Sequence, residues 1–490
     1  MRIDRVRLTN FRCFEDRTFD FTPKFNVLAG SNGTGKTAVL EGIAAGLGAY
    51  IRAMDQFYLR RYLDGGGRRG ASPVYGVREG DVRRVIRAIN QVVTAEPRLP
   101  SAVQIEGEVA GVECKWRRYA QASETPHEVA PEQFLQVAEG IPLGGTIEPQ
   151  TLTKALTLLK EAAKEDGAPA LPLVAYYPAG RLYRVSDAGD VTPPESRVEA
   201  GYGWCLDTNA NEQEFLRWFK RTESIILQRK HSGRAAVGIE DLLESVSSAL
   251  VACVPGWRNF RFDIERDELL ADEVETGNIR SFRLLSDGFR SMIALVADIA
   301  RRATLLNPQL GKAASSKTTG VVLIDEVDLH LHPSWQRRVV GSLRDTFPNL
   351  QFICTTHSPF IIQQLREGEL VKLDGELEAD YSEKPIDDIA EGVMGVHWPQ
   401  MSSRKQAMLD AARLYMAALK EGPQNGNVDA LRKRLDELKA PFSDDPAFVA
   451  VLELERAGQG LPGPEDRGPP RRKKARKKKS KKVGRGRQGR

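Results

Sequence analysis

The sequence predicts an α/β fold: a mixed parallel and antiparallel sheet, an inserted helical lobe, then a C-terminal helical region and a disordered basic tail. Three observations carry that prediction. Short apolar runs rich in β-branched residues, "KFNVLAG", "VVLIDE" and "LQFICTT", have the character of strands buried on both faces of a parallel sheet. Alternating runs have the character of half-exposed antiparallel strands: "IDRVRLTNFRCF" and "DRTFDF" near the start, and the hairpin-like "AVQIEGEVAGVECKWRRYA" from Ala102 to Ala120. Between "KFNVLAG" and the helical stretch "KTAVLEGIAAGLGAYI" lies a glycine-rich turn, "GSNGTGKT", from Gly30 to Thr37.

That turn matches G-x-x-x-x-G-K-[ST], a phosphate-binding loop. Gly30, Gly33 and Gly35 let the backbone bend into a nest whose N–H groups turn inward onto phosphate oxygens. Asn32, Gly33, Thr34, Gly35, Lys36, Thr37 and Ala38 are therefore candidate nucleotide-binding residues. Lys36 reaches the β- and γ-phosphates and Thr37 offers its hydroxyl to Mg²⁺. A glycine-rich surface turn is the plainer reading. The strand before the loop and the helix after it, whose N-terminus faces the anion, argue against that.

The remaining elements follow in order. After the loop helix comes a less regular stretch with "DGGGRRGAS", Asp64 to Ser72. "TLTKALTLLKEAAKE" reads as a helix and "LPLVAYY" as a buried strand. Residues from about 205 to 280 are mostly helical ("NEQEFLRWFKRTESIILQR", "IEDLLESVSSALVACV") and end in short strands. No heptad pattern persists over three heptads, so no long coiled coil interrupts the chain. Near the end, Met408, Ala412, Tyr415, Met416 and Leu419 share one helical face, and Leu431, Leu435 and Leu438 another. "SDDPAFVAVLELERA", Ser443 to Ala457, starts like a capped helix with Pro446 in its first turn. Core packing explains these stripes more simply than a partner groove does.

The chain has 490 residues, 41% hydrophobic and 28% charged, which suits a globular protein of more than one domain. The net charge is +5, but the last twenty residues hold 13 Lys/Arg and no Asp/Glu. Without them the balance is 58 basic against 66 acidic residues, a net charge of −8, so the excess basic charge lies on one tail. No apolar run reaches the ~18 residues needed to span a membrane. "MRIDRVRL" is unlike a signal peptide. Cys13, Cys114, Cys205, Cys253 and Cys354 are scattered, with no C-x-x-C, as expected of reduced structural cysteines in the cytosol.

Three further motifs follow the loop. "GVVLIDEVDLHLHP" ends an apolar strand in Asp325 and Glu326, the Walker B arrangement: Asp325 toward Mg²⁺, Glu326 to orient and deprotonate the attacking water. "LLSDGFRSMIALVADIARR" places Ser286 and Gly288 in a turn at a helix start, where a hydroxyl, an N–H and the helix end suit an anion. An ordinary N-cap by Ser286 or Asp287 is the alternative. "LQFICTTHSPFII" puts His357 just past a strand end, placed to sense a γ-phosphate. His330 and His332 form H-x-H without a third ligand, which favours a structural turn over a metal site.

Phosphate loop, L-S-x-G, hhhhDE and T-H-S-P, in that order over roughly residues 1–375, resemble the ABC-class ATPase heads of the RecF, SMC, Rad50 and OLD group, as do the "NFRCF" opening and "DEVDLHLHP". The resemblance implies an ABC-type head that binds ATP and Mg²⁺, with Lys36, Glu326 and His357 as catalytic residues. It makes Thr37 and Asp325 the metal residues, Ser286 and Gly288 the signature, Asp328 the D-loop residue, and Arg12 of "NFR" a further nucleotide contact. "YYPAGRLY", Tyr176 to Tyr183, falls where a Q-loop would, without its Gln, and Asp287 and Phe289 replace a Gly and the Gln of L-S-G-G-Q. It also implies a homodimer or higher homo-oligomer with each ATP held between the loop of one copy and the signature of the other.

The implied division is residues 1–204 with the phosphate loop, a helical lobe at 205–283, and signature, Walker B and switch at 284–375. A helical region at 376–460 and a disordered tail at 461–490 complete it. No C-terminal nuclease pattern follows residue 375. "LSDGFRSMIALVADIARR" and "DDIAEGVMGV" are similar to ATPases of Septu and retron-linked anti-phage systems, in which a separate nuclease, of HNH type, partners the ATPase. Two functions remain open: an ATPase gating such a nuclease, or a RecF-like repair ATPase binding DNA with no nuclease. In either, the tail is a candidate arm on nucleic-acid phosphates.

Overall fold

The structure is a computed structural model that describes residues 1–58, 76–89, 92–120, 146–147, 150–162, 170–180, 197–206, 212–375, 381, 384–396, 399, 402–421 and 428–439. The loop at 64–72, the end of the Q-loop stretch at 181–183, the helix expected at 443–457 and the basic tail lie outside the described residues. The chain divides into two compact units, Met1–His397 and Trp398–Arg490.

The alternating N-terminal runs form β1 (Arg2–Phe11) and β2 (Phe14–Asp20), paired antiparallel. Then come β3 (Phe25–Ala29), buried throughout, and α1 (Lys36–Tyr58). A separate ribbon, β4 (Arg84–Ile89) with β5 (Val92–Pro97), precedes the expected hairpin of β6 (Ala102–Val109) and β7 (Val112–Tyr119). The short β8 (Thr146–Ile147) completes an antiparallel sheet of order β2-β1-β6-β7-β8.

Next along the chain are α2 (Gln150–Ala162), β9 (Leu173–Tyr177), α3 (Arg197–Tyr202), α4 (Glu212–His231) and α5 (Val237–Cys253). A three-stranded meander of β10 (Trp257–Asp263), β11 (Glu268–Glu273) and β12 (Ile279–Ser281) leads into α6 (Asp287–Leu306). Then follow β13 (Gly320–Ile324), α7 (Val339–Thr346), β14 (Leu350–Thr355), β15 (Leu370–Lys372) and α8 (Ile386–Gly392). The first unit thus extends past residue 376, where the helical region was expected to begin.

The apolar runs form a second sheet of order β15-β3-β14-β13-β9, every pair parallel. β3, β9, β13 and β14 are buried along their whole length, as their unbroken apolar sequence demands. Parallel strands bring their carboxyl ends to one edge, where ligands of α/β sheets bind. Inside α6 a charged knot is fully enclosed. Asp298 accepts hydrogen bonds from Arg301, Arg302 and the Tyr177 hydroxyl, and Arg302 also donates to the carbonyls of Gly201 and Gly203. Burial opposes ionisation of Asp298, but the two guanidinium groups outweigh it and hold the carboxylate far below its usual range.

In the second unit, α9 (Ser403–Glu421) and α10 (Val428–Lys439) pack through Met408, Ala411, Ala412, Tyr415 and Leu435, with Leu431 and Leu438 alongside. Those stripes are core. The side chains of Met416 and Leu419 lie outside the description.

Candidate nucleotide-binding site

The phosphate loop leaves the end of β3 and enters α1 at Lys36. Gly33 and Gly35 have φ of 84° and 95°, a region that side chains disfavour. Gly35 is also hemmed in: a Cβ there would stand 2.5 Å from Cys13 Sγ and 2.7 Å from the Phe14 ring. The turn between β1 and β2 therefore presses on the loop, a contact that no local pattern announces.

Lys36 folds back over the loop and donates to the carbonyls of Gly30 (2.8 Å) and Ser31 (3.0 Å). Desolvation pulls its pKa down, partly offset by Asp374, Asp325, Glu326 and Asp328.

Thr37 and Asp325 meet as their motifs require, with the Thr37 hydroxyl 3.0 and 3.2 Å from the two carboxylate oxygens. The registers explain why: Leu28 pairs with Thr355, and Ile324 with Cys354, so the loop and Asp325 flank the end of β14. Thr355 occupies that end. Its hydroxyl donates to Asp325 Oδ1 (2.6 Å) and accepts the N–H of Glu326 (2.7 Å), fixing both acidic residues at once. The sequence places Thr355 at a strand end but assigns it no role. Its only signal is a hydroxyl at the carboxyl end of a strand in this sheet. The donor set is all oxygen, a hydroxyl facing a carboxylate, which fits Mg²⁺ held by few protein ligands, phosphates and water.

Glu326 stands at φ 48°, a strained conformation for a residue with a side chain. The geometry lifts it out of the strand direction of β13. Beyond it, Asp328 accepts from the Thr356 hydroxyl and, at 3.4 Å, from the His357 N–H, so the D-loop and the switch segment are joined within one copy. His357 is exposed at the same edge. His332 accepts the N–H of Ser334 as a helix N-cap, and no group of three or more metal-binding side chains occurs among the described residues.

Ser286 occupies the N-cap position of α6 in extended conformation, yet its side chain makes no capping hydrogen bond. It is exposed, with Leu284 before it 80% exposed. Gly288 is buried because the helix start abuts the D-loop: a Cβ there would lie 2.2 Å from the His330 carbonyl oxygen. The signature turn and the Walker B segment are thus in direct contact, while Ser286 points elsewhere. Arg12, at φ 50°, is held by two carboxylates, Asp81 and Glu41, the latter one turn beyond Thr37. It lies beside the loop helix with its charge already paired.

Residues 5–95 match a family model described as an AAA domain, and residues 194–363 one described as an AAA domain, putative AbiEii toxin, Type IV TA system. These matches and the ordered motifs support an ABC-class P-loop ATPase of the RecF/SMC group. Among individual proteins, it is 30% identical over 270 residues to the Retron Vc95 probable ATPase of Vibrio cholerae serotype O1 biovar El Tor, covering 46% of this chain and 52% of that one. It is 26% identical over 420 residues to the Retron Ec83 probable ATPase of Escherichia coli, 73% and 69% of the two chains. A third relative, the Septu protein PtuA of Bacillus thuringiensis, is 32% identical over 177 residues, 36% and 41%. The match thus spans about half the length of the first of these relatives. No helix among the described residues is long and apolar enough to cross a membrane.

Proposed function

We propose that this chain binds ATP with Mg²⁺ in the cytoplasm, hydrolyses it, and uses the cycle to bring a pair of its heads together and release them. The observation that carries the reading is the convergence of Thr37, Asp325, Thr355 and Glu326 at the carboxyl ends of three adjacent parallel strands. Lys36 leaves its carbonyls for the β- and γ-phosphates, and the N–H groups from Asn32 to Ala38 take the remaining oxygens. Thr37 and Asp325 hold Mg²⁺, which when bound neutralises charge on the phosphates. Glu326 orients the attacking water and accepts its proton, and His357 faces the γ-phosphate. Ser286 and Gly288 serve the ATP of a second copy.

The retron and Septu relatives support a role in anti-phage defence, with the head controlling a separate nuclease, of HNH type by resemblance, or another DNA transaction. DNA contact falls to the basic tail, because the rest of the chain is net acidic. The test is phosphate release and sedimentation of the purified chain with MgATP. Turnover with ATP-dependent dimers supports the reading, and turnover no faster than that of Glu326→Gln overturns it. Copurification with the product of a neighbouring nuclease gene supports the defence role. Binding to duplex junctions with no nuclease partner instead makes the chain RecF-like.

A further inference from the structure

We propose that Asp374 is a positioning residue for the phosphate loop: its carboxylate ties down Ser31 and so sets the first turn of the cradle that receives the nucleotide. The inference rests on the ATP-binding reading above and extends it to a residue outside every motif.

β15 runs parallel to β3, with Lys372 opposite Ala29, and the Leu373 N–H donates to the Ala29 carbonyl at 2.9 Å. The ladder carries Asp374 level with Ser31. There Asp374 Oδ2 accepts both the N–H of Ser31, at 2.8 Å, and its hydroxyl. Oδ1 is buried, has no hydrogen-bond partner among the described residues, and sits 2.9 Å from where a Cβ on Gly30 would be. A side chain on Gly30 would displace this carboxylate.

The brace is itself anchored. Arg17 donates to the carbonyls of Leu373 and Lys372, and its guanidinium lies 5.2 Å from the Phe19 ring centroid and 6.0 Å from that of Phe14. Phe14 is the ring that confines Gly35. The loop is therefore gripped at both ends, at Ser31 by Asp374 and at Gly35 by Phe14, with Arg17 bridging the two grips. Ser31 in turn offers its carbonyl to Lys36 and to the Thr34 hydroxyl (2.9 Å), so its position propagates to the residues that meet phosphate. Using the Ser31 N–H for the brace leaves the later N–H groups of the loop for the anion.

The experiment is MgATP binding by calorimetry and steady-state turnover for the full chain. Asp374→Ala weakens MgATP about ten-fold, through the loss of the charge-assisted hydrogen bonds that position Ser31. The loss appears in KM, with kcat reduced no more than about two-fold, because the groups that activate water lie on other strands. Asp374→Asn keeps an acceptor for Ser31 and restores affinity to within about three-fold of wild type. Ser31→Ala adds nothing further in the Asp374→Ala background. Wild-type affinity in Asp374→Ala, or no rescue by Asp374→Asn, overturns the inference. If the wild-type chain itself fails to bind MgATP, it is the underlying ATPase reading that falls.

Discussion

Lys36 is 7% exposed and tied to two carbonyls, whereas Ser286 stands exposed at a helix start with a hydroxyl that makes no capping hydrogen bond and an 80% exposed leucine two residues before it. These are two candidate anion-facing turns, and they are built in opposite ways. Groups of the phosphate loop, Walker B and switch segments are hydrogen-bonded to one another within one copy: Thr37 to Asp325, Asp325 to Thr355, Thr355 to the Glu326 N–H, Asp328 to Thr356. The signature turn is packed closely on its inner side, where Gly288 meets the His330 carbonyl. One half of the site is complete within one copy, and the other is presented outward. On that contrast rests the proposal that an ATP is shared between two copies.

The contrast can be broken first at the complete half. Lys36→Ala removes the only side-chain cation of the loop aimed at the β- and γ-phosphates and abolishes ATP binding. Unchanged affinity by calorimetry would remove the loop from the mechanism. Glu326→Gln comes next: it binds ATP but turns it over about 10²–10⁴-fold more slowly, because the amide cannot accept the proton of water. Its dimers persist in sedimentation. Wild-type turnover would place the base elsewhere.

The outward half responds differently. Ser286→Arg leaves ATP binding by the single copy intact yet stops ATP-driven dimerisation and turnover. Mixing it with Lys36→Ala makes dimers with one doubly damaged and one undamaged site, so some activity returns. Mixed dimers that form but stay inactive contradict a shared site. Gly288→Ala tests the inner side of the same turn. Its methyl group meets the His330 carbonyl, and the overpacking costs about 1–3 kcal/mol despite the better helix propensity of alanine. An unchanged melting temperature would show that the helix start can retreat from the D-loop freely.

The smallest expected effect on the ATPase is from the tail. Removing residues 467–490 leaves basal turnover nearly intact. It weakens binding to a labelled duplex regardless of sequence and flattens the salt dependence by roughly 0.9 in log–log slope for each phosphate no longer neutralised. Equal affinities and slopes with and without the tail would assign any DNA binding to the acidic body.

Much of this was legible before the structure. Unbroken β-branched runs identified the buried parallel strands, alternation identified the N-terminal strands and the β6–β7 hairpin, and the G-x-x-x-x-G-K-T loop identified the candidate phosphate site. These signals are local: each depends on periodicity or on backbone freedom within about ten residues. The positions of Thr355 and Asp374 against the loop, the grip of Cys13 and Phe14 on Gly35, and the pairing of Arg12 with Glu41 and Asp81 were not legible. Strand order decided them, since β14 and β15 come to flank β3 only through crossovers of hundreds of residues. The same holds for the enclosed Asp298–Arg302 pair, which reads as an ordinary i,i+4 surface pair until β9 and α3 close over it. The sequence by itself determined which groups could do chemistry on a phosphate. Only the tertiary structure decided which neighbours hold them in place, because those neighbours are set by sheet order, which no local pattern encodes.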